Sequence, residues 1–201
     1  SPKLKQSAPT SAAAPSLSHD REKVRPIAAG RNWLHELGVT DAKGNVLPTA
    51  QDKYRQINRY VEILGPLLSA IPAKRLAKVV DMGAGKGYLT FAVADYLANT
   101  LHSEAKVVGV EMRPDMVALG NRVAAEAGLS ALSFAEGTID AYDSAGASAL
   151  IALHAGDTAT DDAIAKGIAA AADLIVVAPC CHKQIRREVE SARADNPLNY
   201  L

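Results

Sequence analysis

Residues 79–89 read VVDMGAGKGYL, and this stretch decides the fold. Val79 and Val80, with Lys78 leading in, make a short apolar run with no polar alternation, the pattern of a strand buried on both faces. Asp81 comes next, followed by Gly83, Ala84, Gly85 and Gly87. Closely spaced glycines permit a tight turn and let a ligand approach the backbone. Tyr88 opens a helical pattern expected to reach Thr100, and its first turn offers N–H groups that have no partner inside the helix. Strand, glycine loop and helix in this order hold nucleotide-like ligands where an open parallel sheet reverses its strand order. The glycine pattern alone is a weak signal, because dinucleotide sites also use Gly-rich turns.

Towards the C-terminus the same alternation repeats. Lys106–Glu111 is a second strand, and a carboxylate at its end can accept ribose hydroxyls. Residues 114–128 read as a helix stopped by Gly128. Residues 132–135, 149–154 and 174–178 read as the third, fourth and fifth strands, the last stopped by Pro179. A helix over 161–172 separates the last two strands, with Asp161 its simplest cap, and a final helix is expected over 184–194. Short apolar strands alternating with helices predict an α/β domain with a parallel, doubly wound sheet covered on both faces.

Towards the N-terminus, residues 1–20 are rich in Ser, Ala and Pro without apolar periodicity, and read as a disordered linker or tail. Residues 21–75 read as a helical lead-in. It holds a short helix over 32–37 ended by Gly38, turn residues over 41–48, and an amphipathic helix over 50–64. Tyr54, Ile57, Val61 and Leu64 share one face of that helix. Gly65-Pro66 is expected to interrupt it, with a short helical piece continuing to Ala70. Residues 76–201 then form the ligand-binding domain.

Composition narrows the function classes. The chain has 201 residues, 48% of them hydrophobic, enough for one domain with a real core. Lys and Arg number 22, as do Asp and Glu, so net charge gives no argument for nucleic acid, and any such contact needs a local basic patch. No apolar run approaches the roughly 18 residues of a membrane span, and the N-terminus lacks the apolar core of a signal peptide. Cys180 and Cys181 are adjacent and do not suggest a disulfide framework, so a reducing, cytoplasmic setting is expected.

Three details of the central motif give it a family likeness. An acid, Asp81, precedes the loop. The loop runs D-x-G-x-G-x-G rather than the G-x-G-x-x-G of dinucleotide sites, which disfavours an NAD-dependent oxidoreductase. The second strand ends in Glu111. In these features the chain resembles class I S-adenosylmethionine (SAM)-dependent methyltransferases, which have a Rossmann-like fold. That resemblance implies SAM as cofactor, held by Asp81, Gly83, Ala84, Gly85, Gly87, Tyr88, Glu111 and Met112. It also implies Thr138 and Ile139 after the third strand, where relatives often carry an acid for the adenine amino group and this chain has Thr138, with Asp140 two residues on. A full sheet of this class has seven strands, the last two an antiparallel hairpin. The residues after Pro179 read as a helix and a tail, so strands six and seven are expected to be missing from a C-terminally incomplete domain.

The ends of the fourth and fifth strands carry the other chemistry. The fourth runs into LHAGDTATD, the fifth into PCCHK. Both ends belong to the ligand edge of the sheet, so His154, Asp157 and Pro179–His182 can share one pocket. His154 reads as a strand-end residue satisfying backbone groups or as a proton acceptor. Cys180 and Cys181 read as small buried residues, and with no CxxC spacing and a short ligand set no metal is expected. Lys183, Arg186 and Arg187 form a solvated helix face or meet a phosphate backbone. The motifs together resemble a subfamily that includes the tRNA acceptor-stem 2′-O-methyltransferases and related methyltransferase-like proteins. The likeness covers about residues 50 to 190, including Lys53, Gln56 and Ile57 in the lead-in helix. It implies His154 and Asp157 as catalytic residues, Pro179, Cys180, Cys181 and His182 on the substrate side, and RNA as a possible acceptor. Relatives usually carry Cys where this chain has Gly156. A SAM-binding but inactive partner or sensor, or an enzyme acting on a protein or small molecule, are the competing readings.

Overall fold

The computed structural model describes residues 25–153 and 159–178. Within them the chain runs α1 (Asn32–Glu36), a 3₁₀ turn (Pro48–Ala50), α2 (Gln51–Ser69), β1 (Lys78–Met82), α3 (Tyr88–Asn99), β2 (Lys106–Glu111) and α4 (Pro114–Glu126). It continues with β3 (Leu132–Glu136), β4 (Ala149–Ala152), α5 (Ala159–Ala169) and β5 (Leu174–Val177). The five strands form one sheet in the order β3-β2-β1-β4-β5, and every pair is parallel. This is the doubly wound α/β arrangement. The order reverses between β1 and β4, so the crevice at the C-terminal ends of those strands is where a ligand is held.

The sheet separates two apolar layers, because successive side chains of a strand point to opposite faces. Val79 of β1, Val107 of β2, Phe134 of β3 and Ile151 of β4 share one cluster with α1, α2, α3 and α4. Val80, Met82, Val110, Leu150 and Ala152 meet Ala163 of α5 on the other face. The lead-in helices thus belong to the same core as the sheet. Trp33 of α1 stacks on Phe91 of α3, with ring centroids 5.6 Å apart. Its Nε1 donates to the buried Asp95 at 2.9 Å, which also accepts from Asn99 and lies beside Arg31. Asn58 of α2 accepts from the backbone N–H of Ile27 at 2.9 Å, and Tyr54 donates to the carbonyl of Ile27 at 2.7 Å. These bonds lock α2 above the sheet.

Two expectations are corrected. Gly65-Pro66 does not interrupt α2, which continues through both residues to Ser69. Proline removes one backbone N–H, but Leu64 and Leu68 on either side are buried. A Cβ on Gly65 would stand 2.7 Å from the Tyr96 ring of α3, so the glycine permits close packing of two helices rather than a break. The helix expected from Asp161 begins at Ala159, which places Asp161 and Asp162 in its first turn. There they complement the helix dipole rather than cap it. The expected tail over 1–20, the final helix over 184–194 and the question of strands six and seven all lie outside the described residues.

Candidate functional site

The loop after β1 is built to expose backbone. Gly83 and Gly85 adopt φ of 73° and 59°, conformations that disfavour any residue with a Cβ. The N–H groups of Gly83 and Ala84 both donate to the Val110 carbonyl at 2.9 Å, which pins the loop to the end of β2. A Cβ on Gly83 would meet nothing within 4 Å, and one on Gly85 only an Arg113 nitrogen at 3.9 Å. The outer side of the loop is therefore open. Gly87 is different: a Cβ there would stand 2.6 Å from the Phe134 ring. Gly109 and Gly120 crowd the same ring at 2.7 and 2.5 Å, so Phe134 forms the floor on which the loop rests. Asn121 of α4 holds the Phe134 backbone with two 2.8 Å hydrogen bonds.

Asp81 lies within β1, one residue deeper in the sheet than the apolar run suggests, because it pairs in register with Gly109 and Ile151. It is 6% exposed. Thr90 of α3 donates to its Oδ2 at 2.5 Å. Burial pushes the Asp81 carboxyl up from 3.8 to about 6, with the Thr90 hydrogen bond acting in the opposite direction. Above it opens a cavity of about 100 Å³ lined by Lys53, Gln56, Gly83, Ala84, Tyr88 and Leu153, among others. Nearby on α2, the Tyr60 hydroxyl is buried with no hydrogen-bond partner among the described residues. Burial, with the Asp81 charge second, holds this phenol well above its usual range.

Glu111 ends β2 and is also 6% exposed. Its Oε2 accepts the Gly85 N–H at 2.8 Å, and its Oε1 accepts Nε and the backbone N–H of Arg113 at 2.8 and 3.2 Å. Burial pushes this carboxyl up. The hydrogen bonds from Arg113 and Gly85, together with the Arg113 charge, outweigh that effect and hold it below its ordinary value. Glu111 is thus an ionised, acceptor-only group at neutral pH, joined directly to the glycine loop. Beside it Met112 is 66% exposed. Gly137, just past β3, donates to the Glu111 carbonyl at 3.1 Å, which brings the 137–139 segment to the same edge. Ile139 packs against the second apolar cluster. Asp140 is held below the usual carboxylate range, first by the Thr138 hydroxyl.

The structure therefore brings Asp81, Gly83, Ala84, Gly85, Tyr88, Glu111, Met112, Thr138 and Ile139 to the C-terminal edge of β1, β2 and β3, with Gly87 beneath. His154, Asp157, Pro179, Cys180, Cys181 and His182 lie outside the described residues. Ala152 and Val177, at the ends of the strands that lead to them, pair in register. Among the described residues no group of His, Cys, Asp or Glu has the arrangement of a metal site, and no helix is long and apolar enough to cross a membrane. Sequence reasoning missed Thr90, Arg113 and the site-lining position of Lys53 and Gln56. Only the i, i+3 spacing of the last two on the lead-in helix pointed to a shared face.

Comparison with known proteins places this site in a family. The model of a methyltransferase domain family matches residues 52–188, more than half of the chain. No curated protein matches in sequence. Among solved structures, the chain is similar to an RNA methyltransferase from Salinibacter ruber in complex with S-adenosyl-L-homocysteine. The identity is 22%, the coverage 53% of this chain and 60% of that one, and the TM-score 0.37. It is similar to the Pyrococcus abyssi tRNA (uracil-54, C5)-methyltransferase in complex with S-adenosyl-L-homocysteine at 13% identity, covering 66% and 31%, with a TM-score of 0.46. It is also similar to coclaurine N-methyltransferase bound to N-methylheliamine and SAH at 14% identity, covering 60% and 35%, with a TM-score of 0.43. The chain spans less than two thirds of the length of each of these proteins. On the match over residues 52–188, the chain belongs to the methyltransferase domain family.

Proposed function

We propose that this protein is a SAM-dependent methyltransferase that binds its cofactor across the loop 83–87 and Glu111, and that its acceptor is RNA. One observation carries the cofactor reading. The open backbone of Gly83 and Gly85 stands beside the buried, ionised Glu111, whose Oε2 receives the Gly85 N–H at 2.8 Å. A nucleoside fits this donor set, since Glu111 keeps lone pairs free for two ribose hydroxyls and Met112 offers an apolar surface to a base. When bound, SAM supplies a methyl group made electrophilic by its sulfonium. The work left to the chain is to orient the acceptor, exclude water and remove a proton from it.

In this reading His154, at the end of the β4 segment, takes the acceptor's proton, with Asp157 as the second candidate. Pro179, Cys180, Cys181 and His182, after β5, shape the acceptor side. The likeness of the LHA-to-ATD and PCCH motifs to the tRNA acceptor-stem 2′-O-methyltransferases supports RNA as acceptor, by analogy of motif rather than by site geometry. The adjacent free cysteines support a reducing, cytoplasmic setting.

The test is transfer of tritiated methyl from SAM to total RNA and, in parallel, to total protein. Label is expected in RNA. His154→Ala is expected to lower kcat by about 100-fold or more, the usual scale of a lost general base, with little change in KM for SAM. Label in protein alone overturns the RNA assignment. Binding of SAM with no transfer to any acceptor favours a sensor or inactive partner.

A further inference from the structure

The cavity above Asp81 holds two opposite charges, neither of them neutralised. On one wall is Asp81, hydrogen-bonded by Thr90, with no cation at ion-pair distance among the described residues. On the other is Lys53, in the first turn of α2. Arg55 and Arg59, its cationic neighbours on that helix, are paired with Asp52 and Glu62. Lys53 has no carboxylate at ion-pair distance among the described residues. Its Nζ donates to Gln56 Oε1 at 2.9 Å and sits 5.2 Å from the centre of the Tyr88 ring. An ammonium has three N–H donors, so two remain after the bond to Gln56. The ring that carries it is itself fixed, since the Tyr88 hydroxyl donates to the Leu37 carbonyl at 3.3 Å.

A ligand with one charge leaves the opposite wall unpaired, and a ligand with both satisfies both. The cavity, about 100 Å³, has the volume of roughly three waters. That suits the head of an amino acid and is too small for a nucleoside, whose place is the open edge by Glu111 and Met112. Resting on the cofactor reading above, we propose that Lys53, held by Gln56 over Tyr88, receives the carboxylate of the cofactor's amino-acid end while Asp81 faces its ammonium. Lys53 is thereby a binding residue supplied by the lead-in helix. It makes the site selective for the zwitterionic cofactor over the bare thioadenosine.

The experiment compares two probes by calorimetry. S-adenosylhomocysteine carries the amino-acid end, and 5′-deoxy-5′-methylthioadenosine lacks both its carboxylate and its ammonium. Lys53→Met keeps the apolar stem and removes the charge, and a thermal melt checks that it folds. The expected result is a loss of tenfold or more in affinity for S-adenosylhomocysteine, with affinity for methylthioadenosine within twofold of wild type. Lys53→Arg is expected to recover most of the loss. Equal weakening of both probes assigns Lys53 a purely structural role and overturns the proposal, as does unchanged affinity for S-adenosylhomocysteine. A wild type that binds neither probe overturns the cofactor reading itself, and the proposal with it.

Discussion

Asp81→Asn is expected to make the protein more stable at alkaline pH while impairing its site. The folded-state carboxyl titrates near 6 rather than 3.8, chiefly because it is buried. Below pH 3.8 it is protonated whether the chain is folded or not, and its burial carries no charge penalty. As pH rises the unfolded chain ionises first, so the folded state loses stability until the folded carboxyl has ionised as well, above about pH 6. The full difference is worth about 3 kcal/mol. Asparagine keeps the shape and its Oδ1 still accepts from Thr90, but a neutral hydrogen bond is weaker than one to a carboxylate by about 1 kcal/mol. The expected net gain is therefore about 1–2 kcal/mol at pH 8, shrinking to nothing or reversing towards pH 4.5. Urea unfolding at both pH values, extrapolated linearly to water, measures it. A variant no more stable than wild type at pH 8, or one with the same gain at both pH values, refutes the reasoning. Natural sequences keep such a residue when function needs it.

Three further outcomes follow from the same geometry. Affinity for S-adenosylhomocysteine should rise between pH 5 and 7.5, because its ammonium meets an ionised Asp81. Lys53 stays cationic over this range and the neighbouring Tyr60 phenol stays neutral, so a flat calorimetric profile removes Asp81 from the ammonium contact. Phe134→Ala empties the floor beneath Gly87, Gly109 and Gly120 and should cost about 3–5 kcal/mol in urea unfolding. Trp33→Phe keeps the stack on Phe91 but removes the donor to Asp95, with an expected loss of about 1–3 kcal/mol by the same measurement.

Much of this architecture was legible because local signals and tertiary demands agree. The strand–loop–helix around Gly83 and the strand ending in Glu111 are short, apolar and punctuated by glycine, so their limits follow from composition. The departures come from contacts between distant residues. Pro66 looks like a break until Tyr96 of α3 is seen to need the space at Gly65. Asp81 looks like the first loop residue until its pairing with Gly109 and Ile151 places it in the sheet. Gly109 and Gly120 carry no local signal at all, since their role is to leave room for Phe134. Lys53 reads as an ordinary polar residue of an amphipathic helix. Only the docking of α2, through Asn58 and Tyr54 to Ile27, brings it to the cavity.

The central claim is that Glu111 and the glycine loop hold the cofactor. It is tested most directly by titrating S-adenosylhomocysteine into wild type and Glu111→Ala by calorimetry, with a melt to confirm that the variant folds. The expected result is saturable one-to-one binding by wild type and a loss of about 100-fold or more in the variant. That scale corresponds to roughly 3 kcal/mol for hydrogen bonds to a charged group. Equal binding by both proteins contradicts the assignment of Glu111, and no binding by the wild type contradicts the cofactor site as a whole.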